Sequence, residues 1–183
     1  MINPDAAKIG YFLVYKTDNS WIGKIIAKEQ AQEKHSEADS QFTHVGLSLG
    51  GFNSLDALMP SIVLVDDITK KFAGRYVKLV RPKIEDYDCT KRKNIAIDAL
   101  KKTNKDYGFF SLLWFKINTF MWKKRNALAK IGGYFCSYLC ADSLMKYYPN
   151  FMGRPAENCM PADFLDTTKF DVIWEGIIDA KTE

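Results

Sequence analysis

Phe42-Thr43-His44-Val45-Gly46-Leu47-Ser48-Leu49-Gly50-Gly51 is the stretch on which the fold turns. Thr43, Val45, Leu47 and Leu49 alternate with Phe42, His44, Gly46 and Ser48, the period of two that belongs to a strand. One face is aliphatic. His44 stands on the other, beside the small Gly46 and Ser48, over a surface with room for a second group. Gly50-Gly51 tolerates the positive φ of a tight turn, and a returning strand, Phe52 to Leu58, is expected to pair back. Loop length then decides what His44 meets. A two-residue loop puts Ala57 opposite His44 and turns Asp56 away, whereas a three-residue loop, Leu49 to Gly51, puts Asp56 opposite His44. Both registers stay open, and Asp56 is the nearest candidate to orient the imidazole.

Upstream of the hairpin, the apolar run Ile9 to Tyr15 predicts a strand buried on both faces. Asp18, Asn19 and Ser20 offer caps for a short helix, Trp21 to Ala27. Residues 28–41 are polar, a helical extension or a loop, with His35 expected in water. Downstream, Ser61 to Val65 reads as a strand, followed by a short helix through Phe72 and a strand from Arg75 to Arg81. Thr90 or Asp88 caps a helix running to about Lys102. Its expected buried stripe is Ile95, Ala96, Ala99 and Leu100, with Lys91, Arg92, Lys101 and Lys102 in water. Pro161 to Leu165 starts a short helix, and Phe170 to Ile178 is a last strand.

A second stretch carries the candidate chemistry: Gly132-Gly133-Tyr134-Phe135-Cys136-Ser137-Tyr138-Leu139-Cys140. From Cys136 onward, apolar residues recur at three- and four-residue spacing until Pro149 closes the element. Cys136 therefore sits at a helix N-terminus, where unpaired N–H groups and the helix dipole favour an anion such as a thiolate. A buried apolar filler is the competing reading of any free cysteine, and the simpler one for Cys140. A cysteine nucleophile needs a base, and partners need be close only in space. Of the two histidines, His44 is the one whose side chain leaves the apolar face. Backbone N–H groups at Cys136 or Ser137 are placed to stabilise an oxyanion.

Composition bounds these readings. The chain has 183 residues, 47% apolar and 26% charged, with a net charge of +4, as expected of one soluble globular domain over 1–183. The clusters Lys91-Arg92-Lys93 and Lys123-Lys124-Arg125 read as solvated helix faces, so no nucleic acid is expected. The four cysteines, in a sequence showing no export signal, read as reduced thiols in the cytoplasm; delivery by lysis or by a phage is the other route. The apolar run Phe109 to Trp122 is too short to span a bilayer and is broken by Lys116 and Asn118. It reads as a packed helix or an aromatic wall, and the basic residues after it open membrane-surface contact through 109–125 as an alternative.

These motifs together resemble a known family. Thr43-His44-Val45-Gly46-Leu47 followed by Ser54-Leu55-Asp56-Ala57-Leu58-Met59-Pro60 is similar to the histidine region of the permuted papain-like amidases, the YiiX/YaeF-like branch of the NlpC/P60 superfamily. Phe135-Cys136-Ser137-Tyr138-Leu139 resembles the cysteine motif of that branch, and Met160-Pro161-Ala162-Asp163-Phe164 its downstream Thr-Pro-x-Asp-Leu. The likeness spans about Ile9 to Phe170. It implies an α+β, circularly permuted papain-like fold, with an antiparallel sheet or small barrel packed against helices. It also implies Cys136 as nucleophile, His44 as base and Asp56 at the acidic orienting position, with no cofactor and no metal. Three positions depart from the pattern: Tyr138 replaces a glutamate, Asp56 stands where glutamate is common, and Gly10-Tyr11 replaces Gly-Asp. Ser137, Tyr138 and Tyr11 are thus expected along the cleft.

The function expected is that of a cysteine hydrolase cleaving an amide, peptide or cell-wall-like, or a related acyl bond through a thioester. Its expected partner is a peptide-like or acyl substrate. The alternatives are a lipid-directed thiol acyltransferase or esterase, a catalytically silent binding domain, and a domain stabilised by zinc on Cys136, Cys140, His44 and Cys159.

Overall fold

The computed structural model describes residues 6–18, 20–33, 35–58, 60–105 and 135–179. Six strands form one antiparallel sheet: β1 Phe12–Lys16, β2 Phe42–Gly50, β3 Asn53–Leu58, β4 Ser61–Val65, β5 Tyr76–Pro82 and β6 Phe170–Ile177. Their order across the sheet is β4-β3-β2-β1-β5-β6, which leaves β1 and β2 at its centre. The helices are α1 Trp21–Gln32, α2 Glu37–Ser40, α3 Ile68–Lys71, α4 Cys89–Leu100 and α5 Cys136–Met145, with 3-10 turns at Ala156–Asn158 and Pro161–Leu165. The molecule is therefore α+β, an antiparallel sheet packed against helices. No helix among the described residues is long and apolar enough to cross a membrane. The aromatic run Phe109 to Trp122, and the membrane-surface contact considered through 109–125, lie outside the described residues.

Strand alternation divides the buried residues into two cores. Phe12, Val14, Val45, Leu47, Leu55 and Val80 face α4, α5 and the 3-10 turns, whose Ile95, Leu139, Cys140, Leu144 and Phe164 complete the larger core. Leu13, Tyr15, Val77 and Leu79 point to the opposite side, where Ile68 and Phe72 from the α3 region, with Ala7 and Ile178, cover them. Local capping chemistry starts the helices where the sequence predicts. Ser20 Oγ accepts from Gly23 N at 3.1 Å, and the Asp88 carboxylate accepts from Lys91 N at 2.8 Å.

Several expectations are corrected. α1 runs on past Ala27 to Gln32, the helical extension that is one of the two readings of residues 28–41, and the Gln30 amide is buried: its Nε2 donates to the Ser40 and Phe42 carbonyls at 2.8 and 2.9 Å, and its Oε1 accepts from Ala162 N at 2.8 Å. A polar residue with three backbone partners holds the helix against the sheet as firmly as an apolar one. His35 is not in water; its Nε2 lies 3.3 Å from Asp163 in the Pro161–Leu165 turn. On α4, Leu100 is exposed and Asp98 is buried instead, since Lys101, Lys146 and the Tyr147 hydroxyl all close on its carboxylate. Lys102 leaves the water too, reaching Asp142 at 2.5 Å and Ser143 at 3.0 Å.

Candidate active site

The hairpin adopts neither of the two simple registers. Leu47 pairs with Leu55 and Ser48 with Ser54, the ladder then skips Leu49, and Gly50 pairs with Asn53 around the loop Gly51-Phe52. The extra residue at Leu49 is a β-bulge. Continued along β2, this register sets Asp56 across from Gly46 and diagonal to His44, on the same face. Gly46 is what makes the diagonal usable, because the Asp56 carboxylate lies over it where a Cβ would stand. Oδ1 of Asp56 thereby reaches Nε2 of His44 at 2.7 Å.

Around the imidazole the second core supplies an aromatic frame. The Tyr15 ring lies 5.4 Å from it and the Phe72 ring 5.9 Å, while Tyr15 and Phe72 stack on each other at 4.5 Å. Arg75 covers the outer side of both aromatic rings at 5.7 Å. These contacts leave the His44 ring few orientations, and with Nε2 occupied by the carboxylate, Nδ1 is the nitrogen left to face another group.

That group is Cys136. The pairing of β2 with β3 begins only at Leu47, so the backbone of Val45 is open on that side. α5 fills the gap. Cys140 Sγ lies 3.8 Å from the Val45 carbonyl, and the Cys136 sulfur accepts from the Val45 and Ser137 backbones. Although Cys136 belongs to the larger core and His44 to the opposite face, this opening lets sulfur and imidazole hydrogen-bond. The N-cap residue of α5, Phe135, makes no side-chain capping hydrogen bond, and the helix dipole favours an anion at Cys136.

The electrostatics follow from this geometry. Burial on its own would depress the His44 pKa, but the Cys136 sulfur and the Asp56 carboxylate outweigh it and raise the imidazole to about 9. Burial likewise favours the neutral thiol of Cys136, and the imidazolium with the two backbone donors reverses that, lowering its pKa below the usual thiol value. The remaining buried thiols behave oppositely. Burial raises Cys140 well above its ordinary value and pushes Cys159 up to about 12. One thiol of the three buried ones is thus set up as an anion, and it is the one beside the histidine.

Cys136, His44 and Asp56, all expected from the sequence, converge. Ser137 contributes its backbone; its hydroxyl is tied to the Cys159 carbonyl at 2.6 Å, bracing α5 against the downstream loop. Tyr138 is half-buried with its ring 5.8 Å from that of Phe135. Tyr11 is not at the pair: it bonds to Ser48 at the far end of β1, four residues from Tyr15, and lies under the Arg92 guanidinium at 5.4 Å. Sequence reasoning did not single out Tyr15 or Phe72; it noted the small Gly46 as leaving room beside His44, and Ser54 only as part of the histidine-region motif, with no role given. The Ser54-x-Asp56 alternation, which puts both side chains on one face, was the available signal for Ser54. The four residues considered for zinc do not gather; among the described residues no group of three or more His, Cys, Asp or Glu is arranged to hold a metal.

No family model, no curated protein and no solved structure matches this chain.

Proposed function

We propose that the chain is a cysteine hydrolase of amide or related acyl bonds, with Cys136 as nucleophile, His44 as acid and base, and Asp56 as the group that orients His44. The observation that carries this reading is the line Cys136–His44–Asp56, in which a lowered thiol meets a raised imidazole whose far nitrogen is held at 2.7 Å by a dry carboxylate. Structural filling accounts for Cys140, but it gives no reason for an acid, a base and a thiol to be aligned. The antiparallel sheet bearing His44, met by a helix that starts at Cys136, also agrees with the permuted papain-like architecture implied by the sequence motifs.

In the proposed reaction the Cys136 thiolate attacks the acyl carbon, and the carbonyl electron pair moves to oxygen. Backbone N–H groups at Cys136 or Ser137, at the start of α5, are the proposed donors to that oxyanion. Collapse of the tetrahedral species breaks the C–N bond as the His44 imidazolium gives its proton to the departing amine, leaving a thioester. Neutral His44 then takes a proton from water, hydroxide adds to the thioester, and C–S cleavage returns the thiolate and releases the acid. The test is a screen of amide and ester libraries with wild type and Cys136→Ala. Turnover in wild type, its loss in the variant, and a covalent acyl adduct mapped to Cys136 are expected. Turnover that survives Cys136→Ala would sink the mechanism.

A further inference from the structure

The Asp56 carboxylate meets His44 through one oxygen only. Its other oxygen, Oδ2, accepts the hydroxyl of Ser54, and both Ser54 and Asp56 are fully buried. A carboxylate held at a single oxygen can still turn about its Cβ–Cγ bond; a donor on the second oxygen fixes its plane. The Ser54 backbone is itself anchored on both sides, opposite Ser48 in β2 and Val65 in β4. Tyr15 completes the surroundings, fully buried, with its hydroxyl beside Ser54 and Asp56. The titratable groups facing Asp56 are Tyr15 from β1, His44 from β2, and Cys136 and Cys140 from α5, with Arg75 beyond the Tyr15 ring. Ser54 is thus the hydroxyl donor fixed on the carboxylate itself.

We infer that Ser54 is a positioning residue, whose hydroxyl sets the plane of the Asp56 carboxylate so that Oδ1 faces His44 Nε2 and the imidazole faces the Cys136 sulfur. This rests on the reading of Cys136 and His44 as an activated pair. A serine that merely satisfied a buried acid would affect stability alone; a positioning serine also sets where the pair titrates. Removing the hydroxyl leaves the carboxylate free to turn about its Cβ–Cγ bond, so that Oδ1 no longer faces Nε2 and the hold on the imidazolium, and so on the thiolate, weakens.

The experiment is the pH profile of Cys136 alkylation by iodoacetamide, read by peptide mass spectrometry, in full-length wild type, Ser54→Ala and Ser54→Thr. Alanine is expected to move the Cys136 midpoint upward by about one pH unit, a roughly tenfold slower reaction at pH 6, with threonine returning it to within about 0.3 unit. If alanine does not fold by circular dichroism, Ser54→Cys, of similar shape but a poor donor, carries the same expectation. An unmoved midpoint in the folded alanine or cysteine variant overturns the inference while leaving the pair intact. A shift that threonine fails to rescue overturns it too, since the hydroxyl would then not be what matters. A wild-type Cys136 with no advantage below pH 7 removes the activated pair itself, and the role of Ser54 with it.

Discussion

A Cβ on Gly46 would lie 2.8 Å from Cγ of Asp56, so the carboxylate that orients His44 occupies the space of a missing side chain. The backbone there is not of the left-handed kind, so the demand on Gly46 is one of volume and not of conformation. Gly46→Ala is therefore expected to displace Asp56, cost about 1–3 kcal/mol of stability from overpacking, and lower Cys136 alkylation at pH 6 by at least roughly tenfold. Thermal unfolding and alkylation of the same sample check both parts. A variant with wild-type alkylation would show that the Asp56 contact is dispensable.

The imidazole of His44 is expected to titrate near 9 instead of at its usual 6.5. Because the folded value stands above the unfolded one, the stability contributed by the imidazolium is complete below pH 6.5 and is lost as pH rises through about 9. Titration of the His44 ring protons by NMR, assigned with His44→Ala, measures this directly. A midpoint near 6.5 would mean that neither sulfur nor carboxylate holds the proton.

Cys140 follows Cys136 by one turn and shares its burial, yet it faces the Val45 carbonyl, and burial together with the Cys136 and Asp56 charges raises its pKa well above the ordinary value. Cys140→Ala is expected to leave the alkylation midpoint of Cys136 in place and to destabilise the protein by about 1–2 kcal/mol through the small cavity it leaves. Denaturant unfolding gives the second number. Loss of Cys136 reactivity in this variant would assign Cys140 a part in the chemistry.

Gln30 binds three segments through one amide, and a leucine there would leave two carbonyls and an N–H buried without partners. Gln30→Leu is expected to lower unfolding free energy by about 2–4 kcal/mol, measured in urea, without moving the Cys136 midpoint in the protein that remains folded. A loss below 1 kcal/mol would show that water replaces the amide.

Periodicity and caps made much of this fold legible. β4 falls on Ser61–Val65 residue for residue, α4 starts after its Asp88 cap, and α5 starts at Cys136, because each is decided by neighbours in the chain. His44, Asp56 and Cys136 were legible as a set because their types and faces leave few other pairings. The register was not, since the bulge at Leu49 depends on how the whole hairpin packs and not on the Gly50-Gly51 pair. Leu100 and Asp98 exchange roles on α4 for a similar reason. The groups that bury Asp98 include Lys146 and Tyr147, which no local pattern connects to it. The Tyr15 and Phe72 frame comes from strands and turns far apart in the chain, each of which reads separately as ordinary core.

The imidazole and its carboxylate are twelve residues apart, within one hairpin, whereas α5 meets β2 across a separation of 95 residues in the Cys140–Val45 contact. Short loops close early in folding and long ones late. The imidazole–carboxylate match is thus local to one hairpin, whereas the lowered thiol pKa of Cys136 depends on α5 being docked on β2, a contact that the hairpin alone does not provide.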